Sequence, residues 1–276
     1  MSGICGIIEP GAKPAVERLR TMLSSMMMVD EVPAAGPVTP GCMMGVVRRW
    51  SYQQTASWRH ITVACDADLC NVDITSAELA RLGADADSLS VAESLAVLYQ
   101  AHGLGFVRFL EGNFSFAIWD AQNRRLILGV DRFCGKNLYW SQEGNALLFA
   151  SRAGAVKEAR TSECAVNEAA LMQFLILSVV PAPLSIYRGI QRLQPGHMLV
   201  FEQGEVRQQC YWDLAYTETQ GKNEEYWAEQ VREGIRAAVG RTQSGCLPQR
   251  TGAYLSGGTD SSSVVAFMSE RHPKVN

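Results

Sequence analysis

A chain of 276 residues with 47% hydrophobic content can bury a sizeable core, holds one large domain or two ordinary ones by length, and excludes disorder as the default. Only 19% of residues are charged, the net charge is −3 and no Lys/Arg-rich run occurs, so nothing serves a nucleic-acid backbone and a small-molecule or protein partner is expected. No basic flank or bilayer-length apolar run appears, and the eight cysteines stand singly beside four histidines, which predicts a soluble, cytoplasmic protein with reduced thiols and no identifiable metal site.

Strands are expected at Gly3 to Glu9, Cys42 to Arg48 and His60 to Asp66, where apolar or alternating runs are bounded by Pro, Gly or polar clusters. Ala15 to Met27 places Val16, Leu19, Met22, Leu23 and Met26 on one helical face, and the cluster Met26-Met27-Met28 reads as packing. Ser90 to His102 predicts a second helix, with Ser90 and Glu93 as a capping box. Strands follow at Phe114 to Asp120, Arg125 to Val130 and Ala146 to Ala150. Asn167 caps an apolar helix to Leu177, and a hairpin pairs Met198 to Glu202 with Glu205 to Tyr211 across Gln203-Gly204. Polar Thr217 to Glu225 reads as a linker, giving domains at 1–216 and 217–276. A helix carrying Tyr226, Trp227, Val231, Ile235 and Val239 comes next.

Leu247 to Ser256 then leads into Ser256-Gly257-Gly258-Thr259-Asp260-Ser261, and a helix follows from Ser261 to Glu270. Glycines let the backbone approach an anion, the helix N-terminus offers donors and a dipole, and Ser256 and Ser261 add hydroxyls. The Gly-Lys-Ser/Thr ending of the other common phosphate loop is missing, which favours holding pyrophosphate as a leaving group. Strand, glycine turn and helix open a doubly wound sheet, and some sixty residues cannot complete one, so the chain is expected to be a fragment of a longer protein.

Tyr254-Leu255-Ser256-Gly257-Gly258-Thr259-Asp260-Ser261-Ser262 resembles the ATP-pyrophosphatase loop of asparagine synthetases. Upstream, Leu110 to Asp120 resembles a glutaminase-domain strand of that family. Asp131-Arg132-Phe133-Cys134-Gly135-Lys136-Asn137-Leu138-Tyr139-Trp140 is similar to its Asp-Arg-Phe-Gly-x-Lys-Pro-Leu-Tyr-Tyr segment, with Cys134 and Asn137 as departures. Leu193-Gln194-Pro195-Gly196-His197 and Tyr211-Trp212-Asp213 match two further stretches. The resemblance implies an α+β, four-layer αββα amidotransferase domain with an N-terminal nucleophile, followed by the first βα unit of an α/β, doubly wound ATP-pyrophosphatase domain. It also implies that Leu255, Ser256, Gly257, Gly258, Asp260 and Ser261 bind ATP and pyrophosphate with Mg²⁺.

Against the family pattern, the glutaminase positions are altered. Ser2 stands where the family has its cysteine, and Cys5 falls too far along the strand to use the α-amine as base. Asp66-Ala67 replaces the Asn-Gly of the oxyanion hole, where a carboxylate repels developing negative charge. Val91 replaces the aspartate expected to hold the glutamine amine, and Arg48-Arg49 keeps the arginine pair. The expectation is an ATP-dependent ligase that adenylates a small-molecule or peptide carboxylate and takes ammonia or an amine, its glutaminase half impaired. Relatives with degenerate glutaminase domains include β-lactam-forming and lasso-peptide macrolactam synthetases. The competing reading is a non-catalytic scaffold, with pairing into a homodimer left open.

Overall fold

The computed structural model describes residues 3–11, 16–28, 31–37, 39–243 and 251–271. Residues 1–69 with 74–213 form one compact unit, and 70–73 with 214–276 form another.

The larger unit is a sandwich of two mainly antiparallel sheets. One has the order β10 (Gln191–Arg192), β8 (Tyr139–Glu143), β9 (Ala146–Ala150), β1 (Gly3–Ile8), β3 (Cys42–Arg48), β2 (Val32–Ala35). The other runs β12 (Glu205–Cys210), β11 (His197–Glu202), β7 (Arg125–Val130), β6 (Gly112–Asp120), β5 (Ile61–Leu69), β4 (Gln53–Trp58). Three apolar layers follow from strand alternation. Ile4, Ile8, Met44, Trp119, Leu128 and Phe149 fill the space between the sheets. Ile7, Val47 and Leu148 turn outward beneath α1 (Val16–Met26) and α4 (Ala153–Ala159). Val63, Cys65 and Phe116 turn the other way beneath α2 (Val72–Arg81) and α3 (Val91–His102). The expected four-layer αββα architecture is therefore present.

Local signals act as their chemistry requires. The Ser90 hydroxyl accepts from the Glu93 amide at 3.3 Å while the Glu93 carboxylate accepts from the Ser90 amide at 2.8 Å, the reciprocal capping box. Asn167 caps α5 (Glu168–Leu177) through the Ala170 amide. The β11–β12 turn places both Gln203 (φ 54°) and Gly204 (φ 82°) in the left-handed region, matching the twist of a two-residue hairpin. The methionine cluster divides: Met26 is fully buried, whereas Met27 and Met28 lie exposed past the end of α1, where no helical turn turns them inward.

In the smaller unit α6 (Glu224–Thr242) and α7 (Thr259–Arg271) pack together. Arg236 pairs with Glu270 at 2.9 Å and the Arg271 guanidinium donates to the Gly240 carbonyl at 3.1 Å. The strand expected before the glycine loop does not form over 251–255, and 247–250 lie outside the described residues. A parallel strand is held by neighbouring strands, and this unit has none among its described residues.

Candidate active site

At the N-terminal end of β1 the Ser151 hydroxyl accepts from the Ile4 amide at 3.0 Å. A Cβ on Gly3 would come within 2.5 Å of the Ser151 side chain, so only glycine lets the chain start pass here. Ser151 lines a cleft of about 260 Å³ together with Glu31, Arg49, Trp50, Asp66, Gly135, Lys136 and Asn137. This volume suits an amino-acid-sized molecule.

Asp66 is almost fully buried in the cleft wall. Its carboxylate lies 3.1 Å from the Lys136 ammonium and accepts from the Gln53 side-chain amide at 3.0 Å. The carbonyl oxygen of the Gln53 side chain in turn accepts from the Arg49 and Trp50 amides at 2.7 and 3.0 Å. Burial works against the charge on Lys136, but Asp66 beside it outweighs burial and the ammonium pKa is raised. Lys136 also stands over the Tyr52 ring, 5.1 Å from its centre.

Lys136 is placed by a loop built around Asp131. That buried carboxylate accepts from the amides of Phe114 (3.2 Å), Phe133 (3.0 Å), Gly135 (3.0 Å) and Lys136 (3.2 Å). Cys134 takes the left-handed conformation (φ 56°), where the similar family segment has glycine.

The sequence-derived positions divide. Arg49 and Asp66 meet in the cleft. Arg48 is exposed at the end of β3, and Val91 packs at the start of α3; neither is among the described residues lining the cleft. Ala67 is buried and its amide donates to the Tyr52 carbonyl at 3.3 Å, so that donor already has an acceptor. Cys5 is fully buried, which pushes its thiol far above the ordinary range and removes it as a nucleophile. Ser2 lies outside the described residues. Sequence reasoning missed Gln53 and Lys136 as partners of Asp66. Lys136 sits inside the quoted Asp131–Trp140 segment and was therefore within reach, whereas Gln53 belongs to a polar edge strand with no motif.

Residues 53–212 match the family model of the glutamine amidotransferase domain, and residues 230–276 match that of asparagine synthase. The chain belongs to the glutamine amidotransferase domain family. The two matches stand in asparagine-synthetase order. The amidase chry2 of Gibberella zeae is 32% identical over 182 residues, 64% of this chain and 26% of that protein. The glutamine-hydrolysing asparagine synthetase 3 of Bacillus subtilis is 28% identical over 207 residues, 75% of this chain and 33% of that protein. The chain thus spans about a quarter to a third of the length of the curated relatives it matches. Among solved structures, the glutamine phosphoribosylpyrophosphate amidotransferase of B. subtilis superposes with a TM-score of 0.52 at 15% identity, covering 97% of this chain and 63% of that one, a likeness of fold.

Past the amidotransferase unit, the glycine loop is exposed and internally tied. The Ser256 and Ser261 hydroxyls lie 2.9 Å apart, the Ser256 amide donates to Ser261 Oγ at 3.3 Å, and Ser261 Oγ donates to the Gly258 carbonyl at 3.2 Å. Gly257 is left-handed (φ 81°), and Asp260 falls in the first turn of α7. Two hydroxyls, glycine backbone and a thirteen-residue helix start fit a phosphate chain. No group of three or more His, Cys, Asp or Glu side chains among the described residues could hold a metal ion, and no helix there is long and apolar enough to cross a membrane.

Proposed function

We propose that this chain is the amidotransferase-like part, with the opening of the ATP-binding part, of an asparagine-synthetase-type ligase whose glutamine-hydrolysing site is silent. The observation that carries the reading is the buried Asp66–Lys136 pair, which falls where the family resemblance puts the oxyanion donors, with the Ala67 amide already engaged. A tetrahedral intermediate formed from an amide needs hydrogen-bond donors aimed at its oxygen, and a fixed carboxylate offers the opposite sign. Nitrogen then comes from free ammonia or from an amine on the substrate itself, as in the β-lactam-forming and macrolactam-forming synthetases.

In this reading Leu255, Ser256, Gly257, Gly258, Asp260 and Ser261 hold the pyrophosphate portion of ATP, with Mg²⁺ arriving on the nucleotide. ATP supplies the activation: the carboxylate is adenylated and pyrophosphate leaves. The acceptor is a small-molecule or peptide carboxylate, and the location is cytoplasmic.

Glutamate release from L-glutamine, followed for the purified chain and a Ser2→Cys variant against an enzyme-free blank, tests the silent site. No release in either is expected. Steady release by the unmodified chain that disappears in Ser2→Ala overturns the reading and restores a working amidotransferase.

A further inference from the structure

The cleft is closed at one wall by a charge pair whose two members reach it from different parts of the sandwich. Asp66 comes from β5, one strand in from the edge of its sheet, and is pinned by Gln53 of the neighbouring edge strand β4. Lys136 comes from the loop after β7, whose course is fixed by four amides on the Asp131 carboxylate. The Lys136 side chain is about three-quarters shielded from water and that of Asp66 almost entirely so, which limits screening. Gln53 is spent on both sides, donating to Asp66 and accepting from the Arg49 and Trp50 amides, so the carboxylate has little room to turn away.

We infer that Lys136 is a positioning residue that locks Asp66 across the cleft, and that this locked pair is the specificity determinant that keeps an amide side chain such as that of glutamine from being bound. The inference rests on the silent-site reading above but makes a claim that can fail separately. Silence attributed to Ser2 alone predicts that glutamine still binds. The lock predicts that it does not, because an amide oxygen brought against Asp66 meets a carboxylate in place of a donor, and displacing the carboxylate means breaking its pairing with Lys136 and Gln53.

Isothermal titration of L-glutamine into the whole chain tests this, using the unmodified protein, Asp66→Asn, Lys136→Met and the Asp66→Asn/Lys136→Met double variant, with a thermal melt of each. Asn keeps the shape of Asp66 and supplies a donor. The expected result is no glutamine binding by the unmodified chain, weak binding by Lys136→Met, whose Asp66 is held by Gln53 alone, and binding by Asp66→Asn and the double variant at least about tenfold tighter than by Lys136→Met. Lys136→Met alone is expected to melt lower, because it strands the carboxylate, and the double variant to recover.

The double variant keeps the wall neutral, so it reads out binding even if a single change fails to fold. Glutamine binding by the unmodified chain as tight as by Asp66→Asn overturns the lock, as does a folded double variant that binds no better than the unmodified chain. If the unmodified chain binds glutamine but releases no glutamate, the lock alone fails. If it also hydrolyses glutamine, the silent-site reading fails with it.

Discussion

Replacing Asp131 with alanine should destabilise the amidotransferase sandwich by about 3–6 kcal/mol. Four backbone amides converge on this carboxylate, and a hydrogen bond to a charged group is worth about 1.5–3 kcal/mol when its loss leaves a buried donor unpaired. Two of the four are discounted, because Phe133 and Gly135 sit on the exposed part of the loop, where water takes over. The Phe114 amide belongs to a residue that is 1% exposed and the Lys136 amide to a half-buried one, and these carry the loss. Urea unfolding followed by tryptophan fluorescence reports on this unit, since five of the six tryptophans (50, 58, 119, 140 and 212) lie within it. A loss below about 1 kcal/mol, within the range of an ordinary surface change, would refute the claim that Asp131 organises the loop.

Three further outcomes are expected. Gly129→Ala should cost about 3 kcal/mol or more in the same urea assay, because a Cβ there would stand 2.2 Å from the ring of Phe116, itself fully buried. Ser261→Ala should weaken magnesium pyrophosphate binding about fivefold by calorimetry, the loss of one hydroxyl donor and of its contacts to Ser256; unchanged affinity would remove the loop from phosphate binding. Burial works against the charge on Glu143, but hydrogen bonds from Ser162 and Thr161 outweigh it and hold the carboxyl at about 2 against an ordinary 4.5. Its folded pKa is depressed, so the stability it contributes, up to about 3 kcal/mol, is complete above pH 4.5 and lost as pH falls toward 2. Glu143→Gln should flatten the stability curve in that window, and an unchanged acid limb would exclude Glu143 as a source of it.

Much of the sandwich was legible because its strands carry their own signals. Cys42–Arg48, Arg125–Val130 and Ala146–Ala150 form over the residues where the apolar runs stand. Gln53–Trp58 escaped notice because its Gln-Gln-Thr-Ala-Ser-Trp composition lacks alternation: it is an edge strand whose conformation comes from pairing with Ile61–Asp66, a contact that local sequence does not encode. The helix Glu168–Leu177 shows the converse. It is apolar on every side, yet Leu175 is 68% and Ile176 74% exposed, since periodicity tells which face is apolar only when another face is polar. At the candidate site, the altered residues at 66 and 67 could be named from motif comparison alone. That Asp66 is paired could not, because its partner lies 70 positions away and reaches it only after the Asp131 loop has folded.

That pairing explains how the fold tolerates an aspartate at position 66. A lone carboxylate buried to this degree costs several kcal/mol, enough to unfold a marginal domain, and no apolar packing nearby could offset it. The loop held by Asp131, however, brings Lys136 to this wall. An aspartate facing an existing ammonium needs no second change to be accommodated, whereas an aspartate facing an apolar or anionic neighbour would. The three apolar layers lie elsewhere, among Ile4, Trp119 and Phe149, among Val63, Cys65 and Phe116, and among Ile7, Val47 and Leu148, and draw nothing from the cleft. The chemistry of the site can therefore change sign while the sandwich that carries it stays intact.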